Sequence, residues 1–285
     1  MKLIVRADDV GYTDTYNQGT EKAISDGIVT SADLMLDCPG FESAVEMLKK
    51  YPFLSIGWHS HFWGRPVSSS DAVPSMVNEK GWFKFRKDQK LKDTCDYDEV
   101  VKECRAQVLR CIQMLGKAPD YTHSSRGGIF EEARRQVCDE FGIKYGFCTK
   151  MDMNGGYAET PKDEYAGLGI YMVNQPATVY KASFDDSMSV RKTYSPVKYY
   201  QSNAEDMLSK EICITAWHPG FLDDHIYQES RCAEARIVDM IALCGDELKT
   251  WILENHVELI NYRDALYGTK EYQNHLKAVS SKLAH

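Results

Sequence analysis

The sequence predicts an α/β fold in which a single (β/α) barrel domain spans residues 1–285. Short apolar runs alternate with helix-length amphipathic segments, and this alternation predicts a mostly parallel sheet. Polar or histidine residues follow several of the apolar runs, which is where the strands of a barrel carry functional side chains. Because we find no internal repeat and no linker-like stretch, we expect one domain.

Several apolar runs have the length and composition of buried strands. The first is Leu3 to Ala7, and Leu54 to His59 alternates as a strand does before it ends in a histidine. Glu211 to Trp217 likewise leads directly into His218. The remaining predicted strands are Val29–Leu36, Ile143–Cys148 and Val257–Ile260, with one short strand before Asp120.

Helix-length segments lie between these runs. Phe41 to Tyr51 carries apolar residues at helical spacing, and Pro52 ends it. A longer helix begins where Asp96 and Glu99 have the spacing of a capping box. Gly116 closes this helix. The other predicted helices are Thr13–Asp26, Glu131–Phe141, Ala233–Ala242 and Glu247–Glu254, and the tail Gly268–His285 is expected to be helical or frayed.

The segment from Gly64 to Asp96 is long and polar, and it carries aromatic residues that look exposed, Trp82, Phe83 and Phe85. A loop of this length inside a compact domain is usually a lid or a binding insertion. We therefore expect one of these two roles for it.

Composition and charge exclude several classes of partner. The net charge is −8 and no block of Lys or Arg is present, which argues against nucleic acid or an anionic membrane as a partner. No apolar run approaches the roughly 18 residues that a membrane span needs. The nine cysteines include no Cys-x-x-Cys, and Met1 to Arg6 reaches an acidic pair too soon for a secretory signal. We therefore expect a cytoplasmic protein with reduced thiols.

The first strand ends in two adjacent acids, Asp8 and Asp9. Two neighbouring carboxylates at the end of a buried strand resist desolvation and repel each other. A metal ion, a positive partner or a proton would relieve that cost. The alternative is a turn or a helix cap, where Asp is common.

Four histidines stand where they could join this pair. His59 with His61, His123 and His218 each follow a strand-like run. One Asp and two His from different strands can supply three ligands to a divalent ion and leave a position open for water. A second Asp could then act as a general base. The alternatives are a structural histidine in the strand, a helix-capping loop around His123 and a turn at His218.

Other catalytic templates are absent from the sequence. It contains no Gly-x-Ser-x-Gly elbow, no phosphate-binding Gly-x-x-x-x-Gly-Lys-Ser/Thr loop and no His-Glu-x-x-His.

Several segments, in order and at similar spacing over nearly the whole chain, match one known pattern. The segment from Val5 to Gly11 reads V-R-A-D-D-V-G and resembles the N-A-D-D-F-G opening of the YdjC/ChbG family of carbohydrate deacetylases. The other similar segments are Asn17–Gly19 with Gly27–Ser31, Ile56–His59, Gly64–Pro66, Trp217–Asp223, Ser230–Glu234 and Val257–Asp264.

The resemblance implies a deformed TIM-like (β/α) barrel and a metal-dependent deacetylase that acts on N-acetylated sugars. By position, Asp9 and His59 would be metal ligands for a divalent ion, Mg or Zn, and Asp8 would be the base that takes a proton from the attacking water. His123 would be the third ligand. The chain departs from the family here, because the segment from Asp120 to Gly128 has one histidine where the family has a His-rich loop. His61 is the alternative third ligand.

The leading hypothesis is a hydrolase that removes an acetyl group from an amino-sugar or oligosaccharide, with His218 as the proton donor to the leaving amine. Trp58, Trp63, Trp217 or the aromatic residues of the loop around Trp82 could stack on a sugar face, with ordinary packing as the alternative. The competing hypotheses are another metal-dependent amidase or phosphoesterase, and a catalytically impaired sugar-binding relative. A homodimer is the default expectation for the assembly.

Overall fold

The computed structural model describes residues 1–86, 88–122, 128–145, 150–151, 157–158, 168–172, 193–230 and 232–285. Within these ranges the predicted alternation of strands and helices is confirmed. The strands are β1 (Lys2–Val10), β2 (Ser31–Leu34), β3 (Ser55–Trp58), β4 (Tyr121–Thr122), β5 (Lys144–Tyr145), β6 (Lys150–Met151), β7 (Tyr157–Ala158), β8 (Leu168–Met172), β9 (Ile212–Trp217) and β10 (Glu258–Leu259).

The helices pack around these strands. They are α1 (Asp14–Ser25), α2 (Phe41–Leu48), α3 (Tyr97–Leu115), α4 (Ile129–Phe141), α5 (Pro196–Ser202), α6 (Ala204–Leu208), α7 (Asp224–Glu229), α8 (Glu234–Cys244), α9 (Asp246–Glu254), α10 (Tyr262–Tyr267) and α11 (Glu271–Ala278). Among the described residues, no helix is both long and apolar enough to cross a bilayer.

The central sheet is parallel, as predicted. Its order is β5-β4-β3-β2-β1-β9-β8, and β10 pairs with the beginning of β1. The described strands leave this sheet open between β5 and β8, so closure into a barrel is not confirmed and stays a prediction. The short strands β6 and β7 form a separate antiparallel pair.

Strand β1 lies in the middle of the sheet and carries the acidic pair near its carboxyl end. Lys2 to Ala7 pairs in register with β9. On the β2 side the register shifts between Ala7 and Val10, and Asp9 has a φ of 61°. Few non-glycine residues adopt this left-handed conformation, so it marks a position under local constraint. The strand therefore bends at the two acids, and both remain buried.

The loop that follows β9 approaches helix α1 closely. A Cβ on Gly220 would lie 2.0 Å from Tyr16 Cδ2, and a Cβ on Gly19 would lie 2.3 Å from the Phe221 nitrogen. Only glycine fits at such distances. These two positions let the segment after β9, which carries His218, pack directly on the helix that follows β1.

The start of α3 differs in one detail from the prediction. The Asp96 side chain caps the helix by accepting from the Glu99 nitrogen, as expected. The Glu99 carboxylate instead accepts from the Ser75 nitrogen at 2.7 Å, so it stabilises the preceding segment. The reciprocal half of the predicted capping box was therefore wrong.

The aromatic residues of the long polar segment are not uniformly exposed. Phe83 and Phe85 are buried and pack with Phe62 and Phe130 in edge-to-face and stacked contacts. Trp82 alone of the three is half-buried, and it is flanked by two arginine side chains. The prediction that all three are exposed was wrong, because a polar composition did not reveal this local apolar cluster.

A buried carboxylate attaches this segment to α3. The two oxygens of Glu103 accept from the Val67 and Ser68 nitrogens, both at 2.9 Å, and Gln107 also donates to the carboxylate. Gln107 in turn accepts from the Trp58 indole at 3.0 Å. Burial raises the pKa of Glu103 to about 7, although these hydrogen bonds oppose the shift.

This raised pKa leads to a test by stability. The folded chain protonates Glu103 at a higher pH than the unfolded chain, so the contribution of this group to stability grows as the pH falls from about 7 towards 4.5. Glu103→Gln has no proton to gain at this position. We therefore expect the free energy of unfolding of the wild type to rise by about 2 kcal/mol relative to that of the variant when the pH falls from 8 to 5.5. Denaturant unfolding of both chains at the two pH values measures the difference. An equal change of the unfolding free energy with pH in both chains would contradict the prediction.

Candidate active site

Asp8, the first residue of the acidic pair, is bound by an arginine from its own strand. Arg6 donates from Nε to Asp8 Oδ1 at 2.6 Å and from Nη2 to Asp8 Oδ2 at 2.9 Å. Its Nε also lies 3.3 Å from Asp33 Oδ2, on the neighbouring strand β2. Burial lowers the pKa of Arg6, but the charges of Asp33 and Asp8 outweigh it and hold the pKa well above its ordinary value. Arg6 is therefore a fixed cation that orients the carboxylates of Asp8 and Asp33.

Asp9 is buried and divides its two oxygens between different partners. Oδ1 lies 3.0 Å from His59 Nε2, and Oδ2 accepts from Arg236 Nη2 at 2.8 Å. Burial raises the pKa of Asp9, but the charge of Arg236 and the hydrogen bond with His59 outweigh it, so the pKa lies well below its ordinary value. Asp9 is therefore a permanent anion, as a metal ligand has to be.

His59, which follows β3, lies between two carboxylates. Its Nε2 faces Asp9, and its Nδ1 lies 3.4 Å from Asp33 Oδ2. The Tyr121 hydroxyl donates to the other oxygen of Asp33. Burial lowers the pKa of His59, but the hydrogen bonds with Asp33 and Asp9 raise it to about 10. A carboxylate on the second ring nitrogen is the usual way in which proteins orient a metal-binding histidine.

His61 completes a group of possible ligands. Its Nε2 lies 4.0 Å from Asp9 Oδ1, its ring is 4.1 Å from that of His59 between centroids, and its side chain is 39% exposed. Asp9, His59 and His61 each offer one ligand atom, and these atoms lie within 4.8 Å of one another. One carboxylate and two imidazoles form a donor set that suits zinc and other divalent metals.

The ligand atoms of a second possible group, Asp8, Asp33 and His59, also lie within 4.8 Å of one another. Arg6 already lies between its two carboxylates, with Nε at 2.6 Å from Asp8 and 3.3 Å from Asp33. A divalent cation there would face a guanidinium that contacts both carboxylates of the group, whereas Arg236 contacts only Oδ2 of Asp9 and leaves Oδ1 facing the histidines. The structure therefore favours the group of Asp9, His59 and His61.

His218 follows β9 and is half-buried. Its backbone nitrogen donates to Asp239 Oδ2 at 2.9 Å, and the Tyr194 hydroxyl donates to Asp239 Oδ1 at 2.6 Å. Burial lowers the pKa of His218, and the charge of Arg236 adds to this while Asp9 opposes it. Burial also raises the pKa of Asp239 to about 7. The loop that carries His218 is thus tied to helix α8 and lies within the electrostatic reach of Asp9.

The structure brings four of the five residues predicted for the site, Asp8, Asp9, His59 and His218, into one environment. The fifth, His123, lies outside the described residues. Arg6, Asp33 and Arg236 were missed. A charged residue inside an apolar strand was an available signal for Arg6 and Asp33. Arg236 is 1% exposed on α8, and its helical pattern carried no signal of its contact with Asp9.

Arg236 is held by several partners. Its Nε donates to the Cys232 carbonyl at 2.7 Å, and its guanidinium lies 5.5 Å from the ring of Tyr12 and 5.0 Å from that of Tyr16. Within the part of the chain that the structure describes, its Nη1 has no hydrogen-bond partner.

If Asp9, His59 and His61 hold a divalent ion, Asp33→Asn should weaken its binding although all three ligands remain. The uncharged amide would no longer offer a carboxylate to the N–H at His59 Nδ1. The imidazole ring would then be held less firmly in the orientation that leaves Nε2 available to an ion. Removal of such a partner typically lowers metal affinity by about 10- to 100-fold. Calorimetric titration of the metal-stripped chain with Zn²⁺ measures this, with Asp26→Asn at an exposed ion pair as the control. Unchanged affinity would contradict the orienting role of Asp33.

Comparison with known proteins places the chain in a family. A family model described as "YdjC-like protein" matches residues 2–254. Carbohydrate deacetylase 2 of Listeria innocua serovar 6a is 27% identical over 93% of this chain and 98% of its own length. The chitooligosaccharide deacetylase of Serratia marcescens is also 27% identical, over 92% of this chain and 98% of its own length.

A solved structure supports the fold. A crystal structure from Enterococcus faecalis V583, of a protein assigned to cellobiose-phosphate cleavage, matches with a TM-score of 0.72 and 22% identity. The match covers 93% of this chain and 98% of that one. The α/β architecture with its parallel sheet is therefore shared.

Proposed function

Because the chain belongs to the YdjC-like protein family, we propose that it is a metal-dependent hydrolase that removes the acetyl group from an N-acetylated amino-sugar or oligosaccharide. The observation that carries the proposal is the convergence of Asp9, His59 and His61 beside a second buried carboxylate, Asp8. The names of the relatives, carbohydrate deacetylase and chitooligosaccharide deacetylase, supply the substrate class.

We assign Asp9 and His59 as the first two ligands of a divalent ion, Mg or Zn. His61 is the third ligand that the described geometry supports, and His123 is the third ligand that the family resemblance implies. When bound, such an ion would lower the pKa of its water far below that of bulk water, in the case of zinc to about 7, and would polarise the acetamide carbonyl. His59 must release the proton from Nε2 when it becomes a ligand.

Asp8 is the proposed base. It is adjacent to Asp9 in sequence, and both of its carboxylate oxygens accept hydrogen bonds from Arg6. The guanidinium holds the carboxylate in one orientation, from which it accepts the proton of the attacking water. Asp9 is the poorer candidate, because its Oδ1 faces His59 as a proposed ligand atom and its Oδ2 accepts from Arg236. The two oxygens of Asp8 are also engaged, but by Arg6 alone.

His218 is the proposed proton donor to the leaving amine. Its lowered pKa makes the neutral imidazole the resting form near pH 7, so it donates only after it has gained a proton. The hydrogen bond from its backbone to Asp239 fixes the loop on which the side chain stands.

Of the four tryptophans considered for sugar stacking, Trp63 fits best. It is half-buried, its ring stacks on that of His61 at 4.8 Å, and it also contacts Tyr12. Trp58 and Trp217 are fully buried and have no face open to a ligand. A sugar that stacks on Trp63 would thus lie next to the proposed ligand group.

The test is acetate release from a panel of N-acetylated chito-oligosaccharides, assayed beside phosphoesters and simple amides with and without added Zn²⁺ or Mg²⁺. We expect metal-dependent acetate release from the sugars alone. Hydrolysis of phosphoesters or simple amides instead would indicate another metal hydrolase. Saturable sugar binding without acetate release at any metal would indicate a sugar-binding protein, and either result would overturn the proposal.

The proposal also retains a single barrel domain over residues 1–285, a homodimer and a cytoplasmic location, which stay predictions. Light scattering of the purified chain measures the assembly state.

A further inference from the structure

We propose that Arg236 is a positioning residue that reserves one oxygen of Asp9 and limits the strength with which Asp9 binds a divalent ion. This inference rests on the proposed function, because it concerns how the same site would hold its metal. It assigns a role to a buried cation that no sequence pattern indicated.

The geometry separates the two oxygens of Asp9. Both histidine nitrogens of the ligand group approach Oδ1, His59 Nε2 at 3.0 Å and His61 Nε2 at 4.0 Å. Arg236 Nη2 takes Oδ2 at 2.8 Å. Carboxylates can bind a metal through one oxygen or through both. With Oδ2 engaged by Arg236, Asp9 has only Oδ1 to offer, and a coordination position stays open for water and substrate, as catalysis requires.

Arg236 cannot easily turn away from this contact. Its Nε is bound to the Cys232 carbonyl at 2.7 Å, and the rings of Tyr12 and Tyr16 border the guanidinium. It stands near the start of α8, and Asp239, one turn further on the same helix, binds the His218 backbone. One helix therefore contacts both Asp9 and the His218 loop.

The charge of Arg236 predicts the direction in which metal affinity changes when this residue is replaced. A fixed positive charge in contact with Asp9 opposes the approach of a divalent cation, because like charges repel strongly in a buried site. Loss of the charge should therefore tighten metal binding, while the freed Oδ2 takes a coordination position and slows turnover. A residue that only supported the fold would weaken metal binding and turnover together.

The experiment compares the metal-stripped wild type with Arg236→Gln by calorimetric titration with Zn²⁺ and with Mg²⁺, and by kcat and KM for acetate release. We expect Arg236→Gln to bind the ion about tenfold or more tightly and its kcat to fall by about 10²-fold, as a misplaced reacting group can cause. KM should change little. Arg105→Gln, at an exposed pair with Glu140, is the control and should change neither value.

Arg236→Lys is a second variant that still tests the inference if Arg236→Gln does not fold. It retains the charge but cannot bind Cys232 and Asp9 together, so we expect metal affinity within about threefold of the wild type and a reduced kcat. Weaker or unchanged affinity in Arg236→Gln, or an unchanged kcat in Arg236→Lys, would overturn the inference alone. A wild type that binds neither ion and releases no acetate would overturn the proposed function and this inference with it.

Discussion

Asp8→Asn is expected to lower kcat for acetate release by about 10²- to 10⁴-fold, which is the usual contribution of a general base, while the chain keeps its divalent ion. The amide cannot take a proton from the attacking water. Asp8 contacts Arg6 and lies outside the group formed by Asp9, His59 and His61, so the metal should stay bound. Steady-state kinetics and elemental analysis of the same preparation measure both values.

The matched control is Asp14→Asn, in the exposed first turn of α1, which should leave turnover and metal content unchanged. Unchanged turnover in Asp8→Asn would remove Asp8 from the mechanism. Joint loss of the ion and of turnover would instead show that Asp8 is a ligand.

His59→Gln is expected to remove the ion and turnover together. His59 is the one residue shared by both possible ligand groups, and it contacts Asp9 directly. Loss of a carboxylate that only orients a metal-binding histidine already costs about 10- to 100-fold in affinity, so loss of the histidine should cost more. Titration with Zn²⁺ and the acetate assay measure the two effects.

His275→Gln is the control for a histidine substitution elsewhere, because His275 stacks on Phe53 and belongs to neither ligand group. Retention of both the ion and turnover in His59→Gln would contradict the assignment of His59 as a ligand.

The fold was largely predictable because the strands of a parallel sheet carry strong local signals. The run from Leu3 to Ala7 has the apolar composition of a buried strand, and the structure extends it to Val10. Closure of the sheet was not readable in the same way, since strand order depends on contacts between distant segments. Burial of Phe83 and Phe85 in a polar segment has the same cause: their partners Phe62 and Phe130 lie elsewhere in the chain.

The site could be predicted as far as strand ends define it. Asp8, Asp9 and His59 stand at the ends of strands, and parallel strands place those ends at one edge. Asp33 lies on the strand between β1 and β3, but strand order was needed to see that it would face His59. Arg236 lies 227 residues from Asp9. Because its pairing with Asp9 depends entirely on tertiary structure, no local pattern predicts it.

The most direct test of a metal-dependent deacetylase is the return of acetate release when a metal-stripped chain is titrated with Zn²⁺ or Mg²⁺ on an N-acetylated chito-oligosaccharide. We expect no release without metal, and a rate that rises in proportion to added ion until one ion is bound per chain. Release that persists unchanged in the stripped chain, or no release at any amount of either ion, would contradict the assignment of Asp9 and His59 to a catalytic metal site.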